Sequence, residues 1–291
     1  MSAVLWLLMI ACEDPPTEAT PPEPRRLDTW VPERGAPETL RRLVFLGDSV
    51  SAGWGASAPE RSYKRLLQAN DDDTWPAAAS LDLERYGELE VWEMAIGGAT
   101  TQTVRDGQLR ALASRLAEEG SDGFTQVFMT VGGNDIQMAL FGTLAGAATE
   151  PVADGIEARL DDILTTLTDP ALFPDGVGVL FANIYDPTDD VGQADACFGG
   201  FDVGFMRPHL RDANARMREA AERHQVGMID MYGAFQGHGM YAADANNKHH
   251  DSGDPTIWYT SDCIHPNDRG HHEIRRHFLA ALDGDPIVER P

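Results

Sequence analysis

Three residues of this chain carry the side chains that nucleophilic catalysis needs: Ser49, Asp262 and His265. A serine hydroxyl is a weak nucleophile until an imidazole accepts its proton, and a carboxylate is needed to orient that imidazole. The three-residue spacing of Asp262 and His265 allows one turn to present the carboxylate to Nδ1 while Nε2 points toward the serine. These residue types predict acyl transfer through a covalent intermediate.

Acyl transfer also requires hydrogen-bond donors for the oxyanion of the tetrahedral intermediate. The backbone amides of Ser49 and Gly98 and the side-chain amide of Asn134 fit this requirement. Gly98 lies in the segment Ala-Ile-Gly-Gly-Ala-Thr, where the missing Cβ lets the backbone approach a substrate. Asn134 lies in Val-Gly-Gly-Asn-Asp, directly after an apolar run.

Each of these residues also has a structural interpretation. The serine motif and Gly98 lie in sequences that are common in turns. Asn134, with its neighbour Asp135, is a suitable helix N-cap, and Asp262 could cap a helix that begins near His265-Pro266. His265 could be a solvated loop residue. The presence of all four segments in one chain favours the functional interpretation.

The elements that must position these residues alternate between strand-like and helix-like segments. Apolar strand-like runs lie at residues 43–46, 89–94, 126–131, 177–182 and 226–231, and helix-like stretches at 103–119, 152–167, 206–224 and from about 267 to 281. This alternation predicts a parallel sheet with helices on both faces. Reactive groups gather at the carboxyl ends of the strands in such sheets, and Ser49 directly follows the first run.

The four segments resemble the sequence blocks of the SGNH hydrolases, also called GDSL-type lipases and acylhydrolases. The resemblance spans residues 42 to 282 and is carried by Gly47-Asp48-Ser49, Gly98 in Gly-Gly-Ala-Thr, Asn134 in Gly-Gly-Asn-Asp, and Asp262 with His265 in Asp-x-x-His. It implies a three-layer α/β/α fold with a flavodoxin-like five-stranded parallel sheet. The chain departs from the family pattern at two positions without a catalytic group, Ala99 and Glu93, where members often carry Asp and Asn.

The resemblance implies a serine esterase or acylhydrolase that cleaves carboxylic esters. Ser49, Asp262 and His265 would be catalytic, and Ser49, Gly98 and Asn134 would form the oxyanion hole. We expect a small-molecule, lipid or carbohydrate ester as substrate, with no cofactor and no metal. Two alternatives stay open: an O-acyltransferase or deacetylase that acts on sugar hydroxyls, and a non-catalytic surface binding module.

Length and charge limit the classes of partner. The 291 residues suffice for one large α/β domain, which we expect to be a monomer. The net charge of -24 opposes binding to nucleic acids and to anionic lipid surfaces. We therefore expect no nucleic-acid partner.

The N-terminus predicts export. Residues 4–11 form an apolar segment too short to span a bilayer, and Cys12 follows it directly, which resembles a bacterial lipoprotein signal. A plain signal peptide is the alternative. We expect a signal peptide over 1–11, lipidation of Cys12 as the one membrane contact, a proline-rich acidic tether over 12–39, the hydrolase domain over 40–284 and a tail over 285–291. The protein would be a cell-envelope lipoprotein or a secreted protein.

Export would leave Cys197 and Cys263 as an even pair in an oxidising compartment, and we predict a disulfide between them. Two unrelated buried thiols are the alternative.

Two loop regions complete the predictions. Residues 186–202 are rich in carboxylates and are expected to be a solvated acidic loop rather than a calcium site. Residues 232–261 are expected to form a lid or rim over the substrate pocket rather than a metal site.

Overall fold

The computed structural model describes residues 27–33, 37, 39–147, 151–194 and 200–284. Its centre is a sheet of five parallel strands: β1 (Arg42–Gly47), β2 (Glu90–Glu93), β3 (Thr125–Thr130), β4 (Val177–Ala182) and β5 (Gly227–Ile229). The strands lie in the order β2-β1-β3-β4-β5, which is the flavodoxin-like order. The predicted fold class is confirmed. Every residue of β1 and β3 is buried, as expected where both faces of a sheet are covered.

Helices cover both faces of the sheet. In chain order they are α1 (Ser49–Ala52), α2 (Tyr63–Gln68), α3 (Thr101–Thr103), α4 (Leu109–Glu119), α5 (Gly133–Leu144), α6 (Val152–Leu167), α7 (Arg207–His224), α8 (Met231–Phe235) and α9 (Asp268–Asp283), with a π-helical segment, Val104–Gln108, joining α3 to α4. One core contains the apolar sides of α4, α6 and α7, and the other those of α2, α8 and α9. In α6, Ile156, Leu160 and Ile163 are buried at the spacing of one helix face, which explains why its bounds were predictable.

The folded unit begins before residue 40. Trp30 forms an antiparallel bridge with Met228, with N–H to O distances of 2.9 and 2.8 Å, so residues 27–33 run along the free edge of β5. Part of the predicted tether therefore covers a strand edge. Residues 1–26, with Cys12, and 285–291 lie outside the described residues, so the signal peptide and lipidation stay predictions.

Three carboxylates of the first loop region are buried, so the prediction of a solvated acidic loop is wrong for them, whereas Asp202 is exposed. Asp186, Asp189 and Asp190 are all buried. The Asp189 carboxylate accepts the backbone N–H groups of Gly237, Gly239 and Tyr241 at 2.8 to 2.9 Å. It is buried because it satisfies the amides of the second loop region, which packs on it.

The described residues form neither a metal-binding cluster nor a membrane-spanning helix. No group of three or more His, Cys, Asp or Glu residues among them could hold a metal ion. No helix in the same part of the chain has the length and apolar composition needed to cross a membrane.

Candidate functional site

Ser49 stands at the carboxyl end of the central strand β1. Gly47 ends that strand with φ of 109°, and a Cβ on it would lie 1.9 Å from the carbonyl oxygen of Thr130, so only glycine fits. The buried Gln108 side chain holds both the N–H and the C=O of Gly47 at 2.7 Å. Asp48 then caps α1 by accepting the N–H of Val50, and Ser49 is the first residue of that helix.

His265 connects Ser49 to Asp262. Its Nε2 lies 2.8 Å from Ser49 Oγ, and its Nδ1 lies 2.6 Å from Oδ2 of Asp262. The side chain of His265 is 15% exposed. The interpretation of His265 as a solvated loop residue is therefore wrong, because both ring nitrogens are within hydrogen-bond distance of the two predicted partners.

Asp262 is held by its own turn. Its Oδ1 accepts the N–H groups of Ile264 and His265, both at 2.9 Å, and the hydroxyl of Thr260 at 2.7 Å. Partial burial opposes ionisation, but the hydrogen bonds from His265, Thr260 and Ile264 outweigh it and lower the pKa of Asp262 below its usual range. The carboxylate is thus ionised beside Nδ1.

The helix-capping alternative for Asp262 is also wrong. The N-cap of α9 is Asn267, whose side chain accepts the N–H of Gly270 at 3.1 Å. The turn over Asp262 and His265 is closed instead by Tyr185, a residue of the loop after β4, whose hydroxyl donates to the Ile264 carbonyl at 2.6 Å. No local pattern in the sequence indicates this contact, because Tyr185 and Ile264 lie 79 positions apart.

The three predicted oxyanion donors follow three neighbouring strands, β1, β2 and β3, at the same edge of the sheet. Within the described part of the chain, the backbone N–H groups of Ser49 and Gly98 donate to no other group. Gly98 follows β2 with φ of 79°, and a Cβ on it would meet nothing within 4 Å. Glycine is therefore favoured at position 98 by the backbone conformation rather than by lack of space.

Asn134 follows β3 as the second residue of α5. The N-cap of α5 is Gly132, without a side-chain cap, so the capping alternative for Asn134 is wrong. Asn134 Nδ2 donates to the Ala99 carbonyl at 3.0 Å. An amide group has two N–H donors, so one remains for a ligand.

A buried clamp joins the Asn134 helix to the Gly98 loop. The Asp135 carboxylate accepts the N–H and the hydroxyl of Thr101 at 2.9 and 2.7 Å. Arg159 of α6 donates to Asp135 at 3.0 Å and to the Thr101 hydroxyl at 2.6 Å. This clamp fixes the distance between the two elements that carry Gly98 and Asn134. No sequence pattern indicates the role of Arg159.

A cavity of about 160 Å³ opens beside Ser49, and we call it the Ser49 cavity. Its apolar wall includes Ile136, Leu140, Ile184, Met206, Leu210 and Ile264. None of the described residues that line it belongs to 232–261, so that region does not shape this cavity, and its role as a rim of an alcohol pocket stays a prediction. That region packs on the Asp189 carboxylate instead.

The predicted cysteine pairing stays a prediction. Cys263, with φ of 56° in the turn between Asp262 and His265, is disulfide-bonded. Cys197 lies outside the described residues, so the structure does not identify the partner.

A family model described as "GDSL-like Lipase/Acylhydrolase family" matches residues 45–273, which is more than half of the chain. The chain belongs to this family. The match covers the segments that carry Ser49, Gly98, Asn134, Asp262 and His265, and membership of the GDSL-like family makes the protein a hydrolase by class. No curated protein matches the chain.

Solved structures support the fold of this GDSL-like hydrolase. LAE5, an α/β hydrolase enzyme from the metagenome of Lake Arreo, is similar over 86% of this chain and 96% of its own, with 22% identity and a TM-score of 0.54. A variant of Axe2, an acetyl xylan esterase from Geobacillus stearothermophilus, is similar over 88% of this chain and 98% of its own, with 17% identity and a TM-score of 0.54. Phospholipase A1 from Streptomyces albidoflavus is similar over 84% of this chain and 99% of its own, with 21% identity and a TM-score of 0.52.

Proposed function

We propose that this protein is a serine esterase that cleaves carboxylic esters through an acyl-enzyme on Ser49. The observation that carries the proposal is the continuous hydrogen-bonded line from Asp262 through His265 to Ser49, at 2.6 and 2.8 Å. In the first half-reaction His265 Nε2 accepts the proton of Ser49 Oγ as that oxygen attacks the ester carbonyl carbon. Asp262 stabilises the imidazolium that forms.

The oxyanion of the tetrahedral intermediate would be held by three donors. These are the N–H groups of Ser49 and Gly98, together with the free N–H of Asn134 Nδ2. His265 then gives its proton to the leaving alcohol oxygen, and the bond between that oxygen and the carbonyl carbon breaks. In the second half-reaction His265 accepts a proton from water as the water oxygen attacks the acyl carbon. His265 then returns that proton to Ser49 Oγ as the bond between Oγ and the acyl carbon breaks and the acid leaves.

The Ser49 cavity favours a short acyl group. Its volume of about 160 Å³ is close to that of a cavity of about 150 Å³ that holds one benzene ring. Its apolar wall suits a hydrocarbon chain, and its size excludes a long one from full burial. Because of this volume, we expect acetyl to butyryl esters to be better substrates than palmitoyl esters.

The experiment is a panel of esters with one alcohol and acyl chains from acetate to palmitate. We expect kcat/KM to be highest for the short chains and Ser49→Ala to abolish turnover without changing the melting temperature by more than a few degrees. Ser51→Ala is the matched control, because the Ser51 hydroxyl is fully buried and bonded to Tyr63 and Thr130. Retained activity in Ser49→Ala would refute the proposal.

We also propose that the enzyme is exported and anchored through lipidated Cys12. The supporting sequence is the apolar segment 4–11 followed directly by cysteine. Fractionation of the producing cell and mass analysis of the mature N-terminus test this. An intact Met1 on the mature protein would contradict export by this route.

A further inference from the structure

Trp54 is an exposed aromatic residue beside the proposed catalytic histidine. Its side chain is 55% exposed, and its ring lies 5.4 Å from the His265 ring between centroids, at an interplanar angle of 47°. Among the described residues that line the Ser49 cavity, Trp54 does not occur. It therefore borders the reacting atoms without belonging to the wall that would hold the acyl group.

The backbone of Trp54 is held by two hydrogen bonds, and one edge of its ring packs on Gly97. The backbone N–H of Trp54 donates to the Ser49 carbonyl at 2.9 Å, and His271 Nε2 donates to the backbone carbonyl of Trp54 at 2.9 Å. The indole also packs against Gly97, where a Cβ would lie only 2.7 Å from Cζ2 of Trp54. Gly97 thus permits a close contact that fixes one edge of the ring and leaves the rest open to solvent.

The chemistry of ester cleavage assigns this surface to the alcohol half of the substrate. His265 must protonate the leaving oxygen, so the alcohol leaves on the side of the His265 ring, where Trp54 stands. The acyl half occupies the Ser49 cavity. Ile96, which is also 55% exposed and absent from the described cavity wall, directly precedes Gly97, the residue that contacts Trp54.

We propose that Trp54 is the platform of an alcohol subsite that binds neutral, ring-bearing alcohols by stacking. This inference rests on the proposed function and adds its substrate class. A flat aromatic face suits the C–H face of a sugar ring or another aromatic ring, and contact with a linear alkyl alcohol is smaller. The net charge of -24 disfavours an anionic alcohol such as a phosphate-bearing one.

The test compares three acetates: ethyl acetate, benzyl acetate and an acetylated methyl xyloside. The quantity measured is the ratio of kcat/KM for each ring-bearing acetate to that for ethyl acetate, followed by acid release. Trp54→Leu retains bulk beside His265 but removes the flat face, and Trp54→Phe restores an aromatic face. Leu81→Ala is the control. It removes an apolar side chain that is 49% exposed and that belongs neither to the lining of the Ser49 cavity nor to the surface at Trp54.

We expect Trp54→Leu to lower the ratio roughly tenfold, which corresponds to about 1.4 kcal/mol, and Trp54→Phe to recover most of it. The ring-bearing acetate whose kcat/KM ratio falls, benzyl acetate or the acetylated xyloside, identifies the kind of ring that Trp54 binds. An equal loss of kcat/KM with all three acetates would mean that Trp54 only supports His265, and an unchanged kcat/KM with all three would mean that no subsite exists; both overturn the proposal. A wild-type enzyme that hydrolyses none of the acetates would instead refute the proposed function.

Discussion

Replacing Asp48 by Asn should change how stability depends on pH. Asp48 precedes the proposed nucleophile and is 6% exposed. Burial raises its pKa from 3.8 to about 6, although the hydrogen bonds from Thr130 and Val50 and the positive potential of His265 act in the opposite direction. The folded protein therefore holds this proton more tightly than the unfolded chain does. The stabilisation is fully present below about pH 4 and is lost as pH rises through about 6.

The magnitude follows from the two pKa values. The difference between about 6 and 3.8, at about 1.36 kcal/mol per pKa unit, corresponds to about 3 kcal/mol. Asn keeps the Oδ1 that accepts from Val50 and Thr130 and carries no charge. Because the unfolded carboxyl is already more than half ionised at pH 4, the free energy of unfolding of Asp48→Asn minus that of the wild type should rise by about 2 kcal/mol between pH 4 and pH 8.

Urea unfolding at pH 4, 5, 6, 7 and 8 and constant ionic strength measures this difference. Thr130→Val provides a second variant, because it removes a donor that favours the ionised carboxylate and should move the midpoint to higher pH. A stability difference between Asp48→Asn and wild type that is flat across this range would refute the reasoning.

Three further predictions concern the site. Asn134→Ala should lower kcat roughly 100-fold or more with a smaller change in KM, because an oxyanion donor acts mainly in the transition state; an unchanged kcat with a lower melting temperature would assign Asn134 a structural role. Asp135→Asn should lower kcat more than it raises KM, and Arg159→Met, which breaks the same clamp from α6, should do likewise; a pure loss of stability in both would contradict a positioning role. Reduction of the predicted Cys197–Cys263 disulfide should lower activity before the domain unfolds, and two free thiols in the unreduced exported protein would end that hypothesis.

The order of strands and helices was predictable from the sequence. Strands buried on both faces of the sheet appear as continuous apolar runs, and helices buried on one face appear as apolar residues at helical spacing. The bounds of β4 and α6 agree with the sequence-based ranges, whereas β5 is shorter than predicted and pairs with Trp30 on its free edge. A proline-rich sequence gives no signal for such an edge contact. The predicted tether therefore extended too far toward the domain.

The chemical groups of the site were predictable for a different reason. Parallel strands bring their carboxyl ends to one edge, so segments that follow neighbouring strands meet there. The supporting contacts were not predictable: Arg159 reaches Asp135 across 24 positions, and Tyr185 reaches Ile264 across 79, with no local pattern. Asp189 shows the same limit, since a carboxylate that satisfies backbone amides looks in sequence like a solvated one.

The most direct test of the account is to trap the acyl-enzyme. The wild-type protein is mixed with an activated butyrate ester, quenched in acid during the first turnover, and analysed by intact mass and peptide mapping. The account predicts one butyryl group on the peptide that contains Ser49, located on Ser49 itself, and none in Ser49→Ala. Rapid turnover that persists in Ser49→Ala, or an adduct on Ser51 or any other residue, would contradict the central claim.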